Sequence, residues 1–174
     1  MRGIRALEPA DGQRLAALLT QSWGSTRMAT RGRLVDVTAL PGFLAEDDGE
    51  WLGYVNYEVR DGQMEIVGLE AKAEGQGVAS ALLARCIGEA LSADAHRVWL
   101  VTTNDNITAL RFYQRRGFVL IALHPGAVVD ARESIKPEIP LTGEHDIPLR
   151  DELELQLPHP AWPDFVDRYG WPTT

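Results

Sequence analysis

Thr102-Thr103-Asn104-Asp105-Asn106-Ile107-Thr108-Ala109-Leu110-Arg111-Phe112-Tyr113-Gln114-Arg115-Arg116-Gly117-Phe118 is the stretch that decides the fold. It follows Arg97–Thr102 (RVWLVT), whose apolar run reads as a buried strand. Asn106 suits a helix N-cap, because its side-chain oxygen can accept an otherwise unpaired backbone N–H. Residues 106–115 then read as a helix, Gly117 stops it, and Phe118–Leu123 returns as a strand. Strand, helix and strand in succession predict an α/β sheet with helices packed on it.

Working upstream, Glu74-Gly75-Gln76-Gly77-Val78-Ala79-Ser80 follows a strand over Gln63–Leu69 and opens a long helix. Val78, Leu82, Leu83, Cys86 and Ile87 mark one apolar face of that helix. Glycines at such a turn adopt positive φ and let backbone N–H groups approach a ligand. The first N–H groups of a helix are unpaired and lie at the positive end of its dipole, so the turn could hold a phosphate or pyrophosphate. Alone the pattern is weak, since a Gly-x-Gly before a helix is more often a plain turn. It is neither a P-loop nor a dinucleotide fingerprint.

Further out, Ile4–Leu7 reads as a first strand. Pro9 opens a helix whose apolar face carries Leu15, Leu18 and Leu19. Ser22–Thr38 reads as a loop or a broken second helix. Phe43–Ala45, Trp51–Val59 and Gln63–Leu69, joined by turns at Asp47–Glu50 and Asp61-Gly62, read as an antiparallel meander. Residues 124–150 carry Pro125, Pro137, Pro140 and Pro148, which argues against regular helix or central strand through most of the segment. Glu152–Leu157 (ELELQL) alternates as a final strand. The expected organisation is one domain over residues 1–160, with a proline-rich excursion at 124–150 and an irregular tail at 161–174.

Composition narrows the classes. Among 174 residues, 45% are apolar and 24% charged, which is ordinary for a globular chain. A net charge of −8 argues against a polynucleotide partner. It suits a cationic small substrate or a basic peptide, and solubility explains it equally well. The single cysteine, Cys86, forbids an intramolecular disulfide, and its place on the apolar helix face reads as core. No apolar run reaches membrane-spanning length, no signal peptide opens the sequence, and no His pair has metal-ligand spacing. The expectation is a cytoplasmic protein with no membrane, nucleic-acid or metal partner.

Asn106, Ala109, Phe112, Tyr113, Gly117 and Phe118 together form N-x-x-A-x-x-F-Y-x-x-x-G-F, a pattern that resembles the GNAT acetyltransferases. Ile66–Ala79 resembles the family's other block, with Val67, Leu69, Gly75, Gly77 and Ala79 at matching positions. The two blocks come in the family's order, and the clear resemblance covers Trp51–Leu123. The chain is also similar to a set of bacterial GNAT proteins through LPGF at 40–43, EIV at 65–67, KPEIP at 136–140 and IPLRDELEL at 147–155. Ala71 departs from the family's usual proline, and Glu74 from its usual Arg or Gln. A carboxylate at 74 facing a pyrophosphate would weaken binding, so Glu74 is expected to face solvent while backbone N–H groups hold the phosphates.

The resemblance implies a mixed, mostly antiparallel α+β sheet with helices on both faces. It also implies a splayed parallel strand pair, Gln63–Leu69 beside Arg97–Thr102, forming an acetyl-CoA wedge. Cofactor contacts would come from Val67, Leu69, Gly75, Gln76, Gly77, Val78, Ala79, Ser80 and Asn106. Tyr113 would donate a proton to the departing thiolate; otherwise it is an amphipathic core aromatic beside Phe112. Glu65 is the candidate general base. Glu70 differs from it in parity and would point to the other face unless a bulge intervenes. The implied activity is transfer of acetyl to a primary amine of a small molecule or protein. The alternative is a catalytically silent acyl-CoA-binding sensor. A homodimer paired through the C-terminal strand is a further expectation.

Overall fold

The computed structural model describes residues 2–73 and 75–171. Its strands are β1 (Arg2–Ala6), β2 (Arg27–Thr30), β3 (Arg33–Asp36), β4 (Gly42–Asp47), β5 (Glu50–Arg60), β6 (Gln63–Ala71), β7 (Arg97–Thr103), β8 (Val119–His124) and β9 (Glu152–Leu157). The α-helices are α1 (Gly12–Trp23), α2 (Val78–Ser92), α3 (Ile107–Gln114), α4 (Ala127–Ser134) and α5 (Trp162–Tyr169). Seven strands form one sheet in the order β1-β4-β5-β6-β7-β9-β8, and β2 and β3 pair as a separate hairpin. Only β6 and β7 run parallel; the other neighbours are antiparallel. This is the mixed sheet expected from the sequence.

Helices cover both faces. Alternation along each strand separates two apolar sets. Phe43, Val55, Met64, Ile66, Leu100 and Leu155 join α2, Tyr113 and α5 in the larger cluster. Leu44, Trp51 and Tyr54 join Leu15 and Leu19 of α1 in the smaller one. The meander turns behave as their residues demand: Asp48 and Gly49, and Asp61 and Gly62, all take positive φ.

Three segments hold elements that the sequence did not announce. Ser22–Thr38 holds the β2–β3 hairpin rather than the expected loop or broken second helix. Arg31 and Gly32 make its turn at φ 48° and 73°, so the one glycine that could have announced it sits beside a residue that rarely takes that conformation. The excursion at 124–150 contains α4, because Pro125 and Pro137 flank that helix instead of interrupting it. The tail contains α5, in which Pro163 sits in the first turn, where its missing N–H costs nothing. Trp162 is fully buried and donates Nε1–H to the Leu157 carbonyl at 2.9 Å, tying this helix to the end of β9. β9 itself lies between β7 and β8, so it offers no edge through which two copies could pair.

Candidate functional site: the gap between the parallel strands

β6 and β7 are in register from Gln63 with Arg97 to Ile66 with Leu100, and the pairing stops there. β6 continues to Ala71 against β5, and β7 continues to Thr103 against β9. The two strands therefore part, leaving a wedge bounded by residues 67–71 and 101–103 whose facing backbone groups have no ladder partner across it. A β-bulge sits at the opening. Asn56 faces Gly68 and Tyr57 faces Ile66, so Val67 is the extra residue. The bulge resets the side-chain alternation. Glu65 and Glu70 consequently share a face, that of α1 and the hairpin: Glu70 accepts from Ser22 of α1 at 2.9 Å and from Tyr54 at 3.1 Å.

The Gly-rich turn stands at the wedge's head. Gly75 and Gly77 both have φ 76°. Gly77 is the N-cap of α2 and makes no side-chain cap, and the first helical bond is Ala81 N–H to Gly77 O at 3.0 Å. The N–H groups of Val78, Ala79 and Ser80 are thus the unpaired donors of the first turn. The side chains point elsewhere: Val78 is in the core, and the buried Ser80 hydroxyl accepts from Arg116 Nε at 2.8 Å. Gln76 is exposed. Glu74 lies outside the described residues.

Asn106 caps α3, accepting from Ala109 N–H at 2.9 Å. Tyr113 is 8% exposed, with its ring edge-on to Phe112 at 5.1 Å and Phe118 at 5.3 Å. Burial pushes its hydroxyl well above the usual phenol value, with a smaller upward push from Cys86. Cys86 is fully buried.

On the opposite face the hairpin lies over a row of carboxylates. Glu65 is 4% exposed, accepts from the Thr30 hydroxyl and pairs with Arg33 Nη2 at 2.8 Å. Burial raises its carboxyl above the ordinary value, opposed by the Thr30 hydrogen bond and the Arg33 charge. Glu152 is raised for the same reason and accepts from Arg31 N–H at 3.3 Å. Burial also pushes Glu154 upward, but hydrogen bonds from Arg97 and His124 outweigh it and hold Glu154 below the usual range. Arg33, Glu58, Arg60, Glu65 and Trp99 help line an open cavity of about 170 Å³ beside this row.

The structure therefore gathers the Gly-rich turn, Asn106 and Tyr113 on the α2–α3 face and sets Glu65 on the other, with the wedge between. The hairpin residues Thr30, Arg31 and Arg33 and the acids Glu152 and Glu154 escaped the sequence reading. For the acids a signal existed: the alternation of ELELQL puts 152 and 154 together on the face opposite its leucines. Among the described residues no group of three or more His, Cys, Asp or Glu could hold a metal ion, and no helix is long and apolar enough to cross a membrane.

The described fold matches known structures over most of its length. An IAA acetyltransferase from Bacillus cereus superposes with TM-score 0.66 at 19% identity, covering 90% of this chain and 99% of that one. A GNAT family acetyltransferase from Elizabethkingia anophelis with acetyl-CoA bound gives 0.65 at 20% identity, covering 90% and 97%. In sequence, the uncharacterized protein YdhI of Bacillus subtilis is 37% identical over 140 residues, 80% of this chain and 87% of YdhI. The profile of the Acetyltransferase (GNAT) family matches residues 13–118, which span both parting strands, the Gly-rich turn and α3. With that match over more than half its length, the chain belongs to the GNAT acetyltransferase family.

Proposed function

We propose that the protein is an acetyl-CoA-dependent N-acetyltransferase that moves an acetyl group directly to a primary amine of a small molecule or of a protein. The parting of β6 from β7 below a Gly-rich helix N-terminus carries this reading. The shape suits an extended ligand with an anionic end. Pyrophosphate would meet the N–H groups around Gly75–Ser80, and the pantetheine arm would run between the strands against backbone of Val67 and Leu69. The acetyl-CoA bound to the Elizabethkingia anophelis neighbour supports the same choice of ligand.

Acetyl-CoA supplies the acyl group as a thioester, and the chain's own groups do the rest. A wedge-facing N–H at Val67 or Leu69 would donate to the acetyl carbonyl as negative charge develops there. Tyr113, kept protonated by burial, would give a proton to the departing sulfur from the α3 side. Glu65 would accept the amine's proton from the hairpin side, directly or through water; its raised carboxyl brings it nearer neutral pH, where a base works best. Holding both reactants across one gap contributes proximity. The carboxylates at 65, 152 and 154 and the net charge of −8 support a cationic acceptor. The cytoplasm is the proposed location, in keeping with the free Cys86.

Calorimetric titration of the whole chain with acetyl-CoA and with CoA tests the reading. Micromolar binding is expected, followed by CoA release when an amine is added. Absence of binding at millimolar ligand would overturn it; binding without turnover on any amine would make the protein an acyl-CoA sensor.

A further inference from the structure

Three parts of the chain far apart in sequence meet at the outer side of the Gly-rich turn. Arg2, at the start of β1, donates from Nη2 to the Gln76 main-chain oxygen at 3.4 Å and to Gln76 Oε1 at 3.2 Å. Its guanidinium also lies over the Trp171 indole, 4.2 Å from the ring centroid. That indole approaches the turn itself: a Cβ built on Gly77 would stand 4.0 Å from Trp171 Cζ2.

The turn's own residues bring no cationic side chain to a pyrophosphate held there. Gly75-Gln76-Gly77-Val78-Ala79-Ser80 contains no basic side chain, and the residue before it is Glu74. A pyrophosphate diester carries two negative charges, whereas a helix N-terminus offers about half a positive charge. Among the described residues, two guanidiniums hydrogen-bond to the segment. Arg116 is already committed: its Nε goes to Ser80 and its Nη1 to the Phe112 carbonyl at 2.9 Å, and it stacks on the Phe112 ring at 3.7 Å. Arg2 is exposed, and both of its contacts with Gln76 leave from one terminal nitrogen of a group that has five N–H donors.

We propose that Arg2 is a binding residue for the cofactor's pyrophosphate, and that Trp171 is a positioning residue that holds the guanidinium over the turn. The inference rests on the acetyl-CoA reading above. A guanidinium suits the task because its fork matches two phosphate oxygens at once, and a ring beneath it limits its rotation before the ligand arrives.

The test is titration of the whole chain and of Arg2→Ala, Arg2→Lys, Trp171→Ala and Trp171→Phe with CoA and with dephospho-CoA, which keeps the pyrophosphate and lacks the 3′-phosphate. Arg2→Ala is expected to weaken both ligands by about tenfold, the size of one charge-assisted contact. Its unliganded melting temperature should stay in place, and its deficit should shrink at high salt, as a charge contact requires. Arg2→Lys should recover part of the loss. Trp171→Ala should lose less than Arg2→Ala, and Trp171→Phe should recover most of that loss. Equal affinity of Arg2→Ala and the wild type for CoA would overturn the inference and leave the acetyl-CoA reading standing. A deficit seen with CoA but not with dephospho-CoA would move Arg2 to the 3′-phosphate and overturn the pyrophosphate assignment. A deficit insensitive to salt and accompanied by a lower melting temperature would reduce Arg2 to a clasp on the turn. Failure of the wild type itself to bind either ligand would overturn the acetyl-CoA reading instead.

Discussion

Tyr113 packs as a core aromatic against Phe112 and Phe118 and carries a hydroxyl that burial keeps protonated. Tyr113→Phe keeps the packing and removes the proton. Turnover is expected to fall by about a hundredfold, the lower end for a general acid, with the melting temperature nearly unchanged. Unchanged turnover would assign the side chain to the core alone. Glu65 allows a second prediction, in pH. Its folded carboxyl is raised above the ordinary value of 4.5, mainly by burial. The folded state therefore favours the protonated form. That contribution is complete below the ordinary value and is lost as pH rises through the raised one. Denaturant stability of the wild type relative to Glu65→Gln should thus improve as the solution is acidified from neutral. A difference independent of pH would show that the Thr30 and Arg33 contacts cancel the effect of burial.

At the scale of elements, Asn106 joins a cap to a proposed ligand contact, and substitutions can divide them. Asn106→Ala should cost about 1 kcal/mol of stability on denaturant unfolding, the usual worth of an N-cap. Asn106→Ser should restore the cap; if CoA affinity stays low in that variant, the amide itself meets the cofactor. This helix start was legible in the sequence because its signal is local: one polar side chain, an apolar spacing and a stopping glycine. The strands of the meander were legible for the same reason. The bulge at Val67 was not, because it exists only in the pairing of β6 with β5. The hairpin escaped because its turn uses Arg31 where Asn or Asp would have announced it. Glu65 could be picked out of the sequence as a candidate carboxylate, but its partners Thr30 and Arg33 come from that hairpin. The sequence thus displayed one wall of the candidate site and hid the other.

Over the whole molecule, the sheet has two edges, β1 and β8. β8 is the hazardous one. Val119, Leu120, Ile121 and Leu123 are each at least 45% exposed, and the strand holds no lysine or proline to discourage pairing with another chain. Leu123→Lys, at the most exposed of the four, is expected to lower light scattering in concentrated solution and leave CoA binding unaltered. Equal scattering would show that the net charge of −8 already keeps copies apart.

The separation of β6 from β7 has a consequence in time as well as in shape. Below Ile66 the main-chain amides of both strands sit inside a closed ladder; above it, those facing the wedge do not. In deuterated water a single strand should therefore show two exchange rates, slow at Met64 and fast along residues 67–69 where the backbone faces the gap. An occupant that bonds to that backbone would slow the fast set and leave the slow set as it was, so isotope uptake along one strand would report both where the ligand lies and how long it stays.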